Sequence, residues 1–254
     1  MKLKKKFLIL TIFTAISSFA SNIYFIADTK PYKEANLYMK GSGIVNNVHK
    51  EIGDIIKTDD LLISLDSSNQ KIKVDINKTE LQISKDNMLY ATEDYKRYSK
   101  VKKNINIDVF NTYKRKFNSS KNDLSIAENN LRESELLLKD MSLYAPFDGI
   151  ITSKNVEVGQ SVLGLQSKLY TVIDNSKSKL IIKFDQMHLD KVKVGDKISY
   201  RLDNDKEYSQ VVINKIYPSI LDNRKVEAEV IIDYVAPNLF GEGFILQNNS
   251  SLKE

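Results

Sequence analysis

The sequence predicts a mainly β protein whose small β-sandwich is split by one long α-helical coiled-coil hairpin. Three observations lead there. The first is an internal repeat: Gly43-Ile44-Val45 with Gly53 ten residues after the first glycine recurs as Gly149-Ile150-Ile151 with Gly159 at the same spacing. Each copy then runs into an apolar strand closed by an aspartate, LLISLD at Asp66 and LYTVID at Asp174. A repeat of this kind is read before any local propensity. Each copy holds only about thirty residues of short strands, too few to bury a core alone, so the two are expected to form halves of one sandwich. The second observation is the stretch between them. From Ser67 to Met141 there is neither glycine nor proline, and the composition shifts to Lys, Asp, Asn, Glu, Leu and Ile. The third is a heptad: Phe110, Phe117, Leu124, Leu131 and Leu138 recur every seven residues, each followed three residues later by Tyr113, Ser120, Ala127, Ser134 and Met141. That is an a/d seam with small residues along the middle of its d line, which calls for a closely approaching partner helix.

In chain order, Lys2, Lys4, Lys5 and Lys6 precede an apolar run from Phe7 to Ala20 that continues with interruptions to Ala27. A basic cluster before such a run stays in the cytoplasm while the following chain is exported. Two outcomes are open. Ser18-Phe19-Ala20 offers a signal-peptide cleavage site, whereas a run extended to Ala27 approaches the ~20 residues that span a bilayer. Residues 1–27 are therefore assigned to a membrane anchor or signal segment, with the uncleaved anchor preferred. Residues 28–66 are expected to hold a polar connector and the first sandwich half, whose strand-like segments are separated by turns at Gly53-Asp54 and Lys57–Asp60.

Residues 67–142 form the hairpin, with a break near Lys102–Ile107. Each arm of about 35 residues would be ~50 Å long. The first arm carries two apolar lines. Val74, Leu81, Met88 and Tyr95 share one face, while Ile72, Ile76, Ile83 and Tyr90 lie roughly opposite. One line packs on the second arm; the other is left for a neighbouring protomer or as tolerated surface. Residues 143–175 are the second sandwich half.

The pair GIVNNVHKEIGDII and APFDGIITSKNVEVGQSV resembles the split lipoyl-like domain of bacterial membrane fusion proteins, the periplasmic adaptors of efflux pumps and haemolysin-type secretion systems. The sharpest piece is Ala145-Pro146-Phe147-Asp148-Gly149 with Val158-Gly159-Gln160-Ser161-Val162. The resemblance implies that residues 176–220 form the small β-barrel that follows the lipoyl-like domain. Residues 221–254 would then be a minimal or incomplete membrane-proximal segment. It also implies a partner-binding tip: adaptors that dock on an outer-membrane channel resemble one another in an Arg, Leu, Ser set at plus four and plus eleven. Here that set reads Arg97, Val101 and Asp108, so the arginine matches, the aliphatic character survives, and an aspartate replaces the serine. Asp108 is as good a helix cap as serine.

Catalytic chemistry finds no foothold in this sequence. There is no cysteine, and the two histidines, His49 and His188, have no acid at metal-ligand spacing. A lipoyl or biotinyl carrier needs a lysine at the turn joining its half-motifs, and that turn is replaced by the hairpin. No phosphate loop or nucleophile elbow appears. Asp148 of PFDG is first a turn residue, and Gly43, Gly53, Gly149 and Gly159 are expected as structural turn glycines. The net charge of +5 comes partly from the leader, and the other lysines alternate with acids, so no nucleic-acid stripe is present. The resemblance implies a non-enzymatic adaptor without cofactor, forming a homo-oligomeric ring. It would link an inner-membrane transporter, resistance–nodulation–division or ATP-driven, to an outer-membrane channel. The alternative is a membrane-anchored coiled-coil scaffold with no transport partner.

Overall fold

The computed structural model describes residues 22–246 apart from 204 and 222; the basic leader and residues 7–20 lie outside the described residues. Strands and helices follow in the order Ile23–Pro31 (β1), Glu34–Tyr38 (β2), Gly43–Val48 (β3), Ile55–Ile56 (β4), Leu61–Leu65 (β5), Ser68–Lys100 (α1), Ile107–Lys139 (α2), Ser142–Tyr144 (β6), Gly149–Lys154 (β7), Ser161–Val162 (β8) and Lys168–Ile173 (β9). Then come Lys177–Asp185 (β10), Lys197–Leu202 (β11), Ser209–Val212 (β12), Lys215–Ile220 (β13), Lys225–Asp233 (β14) and Phe240–Ile245 (β15). The chain divides into two compact units, residues 33–176 and the remainder.

The first unit is the sandwich with its hairpin. Two four-stranded antiparallel sheets, ordered β2-β9-β7-β4 and β6-β5-β3-β8, each draw two strands from before the helices and two from after them. Neither half can exist as a sheet without the other, which is why thirty residues per half suffice. The side chains that point between the sheets, among them Val45, Ile56, Leu62, Leu65, Ile151, Val162, Leu169 and Val172, are almost fully buried and make one core.

The repeat is also a repeat in space. The Gly53 N–H donates to the Ile151 carbonyl and the Gly159 N–H to the Val45 carbonyl, both at 2.9 Å. In return the Ile151 N–H donates to Asp54 O and the Val45 N–H to Gln160 O. Each glycine turn thus closes on the strand that opens the other half. Gly53 (φ +91°) and Gly159 (φ +84°) sit in the left-handed region where a side chain is strained. Gly43 and Gly149, expected as turn glycines too, instead begin β3 and β7 and have no positive φ. Gly149 is needed for space: a Cβ there would collide with the Ile173 carbonyl, whereas one on Gly43 meets only the Leu65 side chain at 3.5 Å.

The second unit is a seven-stranded antiparallel sheet, β12-β11-β15-β1-β10-β14-β13, wrapped around Phe25, Leu180, Ile182, Phe184, Ile198, Val226, Ala228, Val230 and Ile245. It curls until its ends approach. Asn214, just before β13, donates from its N–H to Glu229 O at 2.9 Å and accepts the Ile231 N–H on its side chain at 2.7 Å. Two sequence expectations are corrected here. Residues 23–27, read as the end of an apolar membrane run, form β1 with Ile23, Phe25 and Ala27 turned into the core. The following polar residues are strand as well: Thr29 is buried, its hydroxyl donating to Ala236 O and accepting the Leu239 N–H. Likewise β14 and β15, placed by the sequence in a separate membrane-proximal segment, complete this sheet by pairing with β10 and β1. Their partners lie far away in sequence, so the alternation announces strands without announcing the sheet they join. Among the described residues no helix is long and apolar enough to cross a membrane.

Candidate partner-binding site at the hairpin tip

The hairpin leaves the sandwich through a turn that the repeat uses twice. Asp66 closes β5 and accepts the Ser68 N–H (3.0 Å) and hydroxyl (2.7 Å); Asp174 closes β9 and accepts the Ser176 N–H (2.9 Å) and hydroxyl (2.6 Å). The first copy launches α1 and the second launches the chain out of this unit. The hydroxyl and N–H of Ser68 hold the Asp66 carboxyl below the ordinary carboxylate range. Burial pushes the Asp174 carboxyl up, but the two Ser176 donors outweigh it and the net direction is also down. A carboxyl depressed in the folded state contributes stability that is present above its unfolded pKa and is lost as pH falls through the folded value. Asp66→Ala is therefore expected to lower the urea midpoint at pH 7, and the difference from wild type should shrink as pH falls below the ordinary carboxylate range. Denaturation series at pH 7 and pH 3 check this.

Along the hairpin the residues of α1 withdrawn from solvent on the α2-facing side are Gln70, Val74, Asn77, Leu81, Ser84, Met88, Ala91, Tyr95 and Tyr98, at alternating spacings of four and three. Their counterparts in α2 are Phe110, Tyr113, Phe117, Ser120, Leu124, Ala127, Leu131, Ser134 and Leu138. The seam changes character along its length. Near the sandwich it is small and polar: the buried Asn77 amide donates to Asn130 O and the Gln70 amide to Ser134 O, both at 2.9 Å. A buried amide with a partner only in one alignment penalises slippage. Toward the tip the seam is aromatic. Tyr98 stacks on Tyr113 with centroids 3.8 Å apart, and Tyr95 lies 4.9 Å from Phe117 and 5.9 Å from Phe110. Asp94 links the arms electrostatically, 3.7 Å from Arg97 and 3.8 Å from Lys116.

The tip itself is Val101, a single 3-10 turn over Lys102–Asn104, and the start of α2. The sequence expected Asp108 to cap α2. The cap is Asn106, whose side chain accepts the Asp108 N–H at 2.8 Å, because Asn106 has the extended backbone a cap requires and Asp108 is already inside the first turn. Asp108 adds a negative charge where the helix dipole favours one. Arg97 and Asp108 are solvent-facing, and so is Val101. Beside them the sequence reading missed Ile107 and Val109, both exposed apolar side chains in the first turn of α2. Their signal was available: two aliphatic residues flanking an aspartate, both off the seam. Lys102 lays its ammonium 4.8 Å over the Phe110 ring, folding the turn back onto the seam. The tip thus carries three exposed aliphatic side chains, Val101, Ile107 and Val109, with Arg97 and Asp108 also exposed, above an aromatic stretch of the seam; Ile107 and Val109, two positions apart, point to different sides of α2.

His49 meets Ser64 Oγ at 3.3 Å, and His188 has a buried Nδ1 without a partner. Among the described residues no three His, Cys, Asp or Glu side chains gather where they could hold a metal ion.

A sandwich interrupted by a helical hairpin and accompanied by a curled β sheet defines a class. Residues 33–174, more than half of the chain, match the family described as CzcB-like, barrel-sandwich hybrid domain. The chain belongs to this family, that of the membrane fusion proteins or periplasmic adaptors. Solved structures share the fold. The membrane fusion protein Spr0693 from Streptococcus pneumoniae R6 superposes with a TM-score of 0.71 at 12% identity, over 89% of this chain and all (100%) of that one. A MacA-MexA chimera carrying the Pseudomonas aeruginosa MexA α-hairpin gives 0.70 at 17% identity over 89% and 81% of the two chains. MacA from Actinobacillus actinomycetemcomitans gives 0.65 at 20% identity over 89% and 80%. A Haemophilus influenzae protein described only as uncharacterized is 23% identical over 174 residues, 68% of this chain; the chain spans 42% of that relative's length. Members of the family are non-enzymatic structural proteins.

Proposed function

We propose that this chain is a periplasmic adaptor, anchored to the inner membrane through its N-terminal segment, that links an inner-membrane transporter to an outer-membrane channel for efflux or secretion. It works without catalysis, coupling its partners by binding their conformations differently. The observation that carries this reading is the hairpin tip. A helical pair 33 residues long in each arm ends in exposed aliphatic side chains that lie outside the seam, with Arg97 and Asp108 exposed beside them. Exposed apolar side chains at the far end of a long helical spacer fit a small, specific contact. Ile72, Ile76, Ile83 and Tyr90 are all exposed on the outward side of α1, and they support a homo-oligomeric ring in which this line meets a neighbouring protomer. One hairpin cannot enclose a conduit; several can. The transporter partner in this reading is of the resistance–nodulation–division or the ATP-driven kind.

An in-cell photocrosslink from Val101, Ile107 and Asp108, with trapped partners identified by mass spectrometry, tests the proposal. Capture of an outer-membrane channel protein is the expected result. An exported, well-expressed protein that traps only itself or nothing would end the docking proposal and shift the weight to a membrane-anchored scaffold.

A further inference from the structure

The outer face of the curled sheet carries a feature that neither the sandwich nor the hairpin explains. Tyr24 on β1 is cross-strand partner to Phe244 on β15, their rings 5.7 Å apart edge to face, and Tyr208, just before β12, lies 6.4 Å from Phe244. The Arg201 guanidinium stands 5.4 Å over the Tyr208 ring and pairs with Glu242 at 2.8 Å; the Tyr24 hydroxyl donates to the same Glu242 at 3.2 Å. Three aromatic rings thus lie together on the solvent side of a sheet, 51%, 46% and 37% exposed for Tyr24, Tyr208 and Phe244. Their polar groups are tied back to one arginine–glutamate pair.

Cross-strand aromatic pairing stabilises a sheet, but it does not require rings this exposed. Tyrosine rings with an apolar body and a polar tip, beside an arginine, are the composition of a membrane–water interface. The chain's own course supplies the membrane. The apolar residues 7–20 end at Ala20, four residues before Tyr24. Four residues of extended chain reach at most ~14 Å. The headgroup layer beside a bilayer's hydrocarbon core is itself about 5–8 Å deep on each side. If residues 7–20 enter a bilayer, Tyr24 cannot be far from its surface.

We propose that the Tyr24–Tyr208–Phe244 face is an interfacial membrane contact, the surface on which the curled sheet rests against the lipid headgroups. This rests on the reading of residues 7–20 as a membrane anchor. Arg201 and Glu242 neutralise each other, and Asp203, Asp205 and Glu207 lie in the same turn, so the contact draws on ring burial rather than on anionic lipid, and it holds on neutral phosphatidylcholine. The patch fixes the orientation of the sheet at the membrane, which a single flexible tether would not do.

The natural sequence contains no tryptophan, so one substitution installs a unique reporter. Full-length Phe244→Trp is reconstituted into phosphatidylcholine vesicles that carry bromine at defined acyl depths and is collected by flotation. Full-length Tyr234→Trp is the control, because Tyr234 follows β14 at the end of the sheet where Pro31 and Ser178 pair, away from Tyr24. Both exchanges replace one exposed aromatic ring by another and leave the core untouched. The expected result is flotation of both proteins, with Phe244→Trp losing about half its emission to bromines nearest the headgroups and Tyr234→Trp losing almost none. Flotation with Phe244→Trp unquenched overturns the proposal while the anchor stands. Failure to float removes the anchor and the proposal together. A blue shift of Phe244→Trp that depends on protein concentration without lipid shows a second copy covering the patch, and overturns it as well.

Discussion

Gly149→Ala is expected to destabilise the sandwich by about 3 kcal/mol or more, at the upper end of what overpacking costs, while Gly43→Ala changes its stability by less than about 1 kcal/mol. The two glycines hold the same place in the repeat. Both open the strand that receives the other half's glycine turn, and both have ordinary backbone angles, so neither identity nor φ distinguishes them. Their surroundings do. A methyl on Gly149 would press into the backbone of Ile173, with the carbonyl carbon at 2.9 Å and the carbonyl oxygen nearer still. That carbonyl belongs to β9, the strand hydrogen-bonded to β7 through Ile150 and Ile173, so relief requires pulling the two strands apart. A methyl on Gly43 meets Leu65 Cδ1 at 3.5 Å, an ordinary contact with the end of a movable side chain. Urea denaturation of the two variants beside wild type reads the difference directly. Equal losses would mean that β7 and β9 can separate at little cost, and that the repeat rather than the local approach governs these positions.

That asymmetry could not be read from the sequence, where the two glycines look alike. The repeat shows that two halves exist, and both glycines do face the residue before the closing aspartate, Leu65 or Ile173; whether that residue presents its side chain or its backbone is decided by register, which the sequence does not carry. The hairpin shows the same limit. Its second arm was legible because the a line is wholly Phe and Leu. The d line of the first arm, Gln70, Asn77, Ser84 and Ala91, carries no hydrophobic signal, although Asn77 and Ala91 are among the most buried residues of α1. Their place in the seam follows only once the small d residues of the other arm are taken as a template. The N-terminal boundary failed for a different physical reason. In β1 the inward residues Ile23, Phe25 and Ala27 alternate with Tyr24 and Ile26, which are also apolar, so the period of two that marks a half-buried strand is erased and the segment merges with the run before it. The tip set was located by resemblance, yet Ile107 and Val109 were passed over, since outside a seam aliphatic residues mean something only when exposure is known.

Phe110→Ala is expected to loosen the tip and leave the rest of the molecule as it is. Phe110 is buried at the start of α2, against Tyr95 and beneath the Lys102 ammonium, so one ring joins both arms and the turn between them. Truncating a buried phenylalanine costs about 3–5 kcal/mol, and here the loss falls on a region that can open without the sandwich. Amide exchange over residues 95–113 should accelerate by roughly 100-fold or more, with residues 70–88 and 120–138 unchanged because the Asn77 and Gln70 bonds hold that end. Ile107→Ser separates holding the tip together from docking it. Ile107 is exposed and packs in no seam, so its loss should shift stability by no more than about 0.5 kcal/mol while reducing channel crosslinking from Val101. Unchanged exchange in Phe110→Ala would assign the neck's stiffness to the Tyr98–Tyr113 stack instead. A drop in crosslinking with Phe110→Ala but none with Ile107→Ser would mean that the channel reads the shape of the tip and not its aliphatic surface. These two substitutions, three residues apart in one helix, thus decide whether the hairpin's far end is a rigid post or an adhesive one.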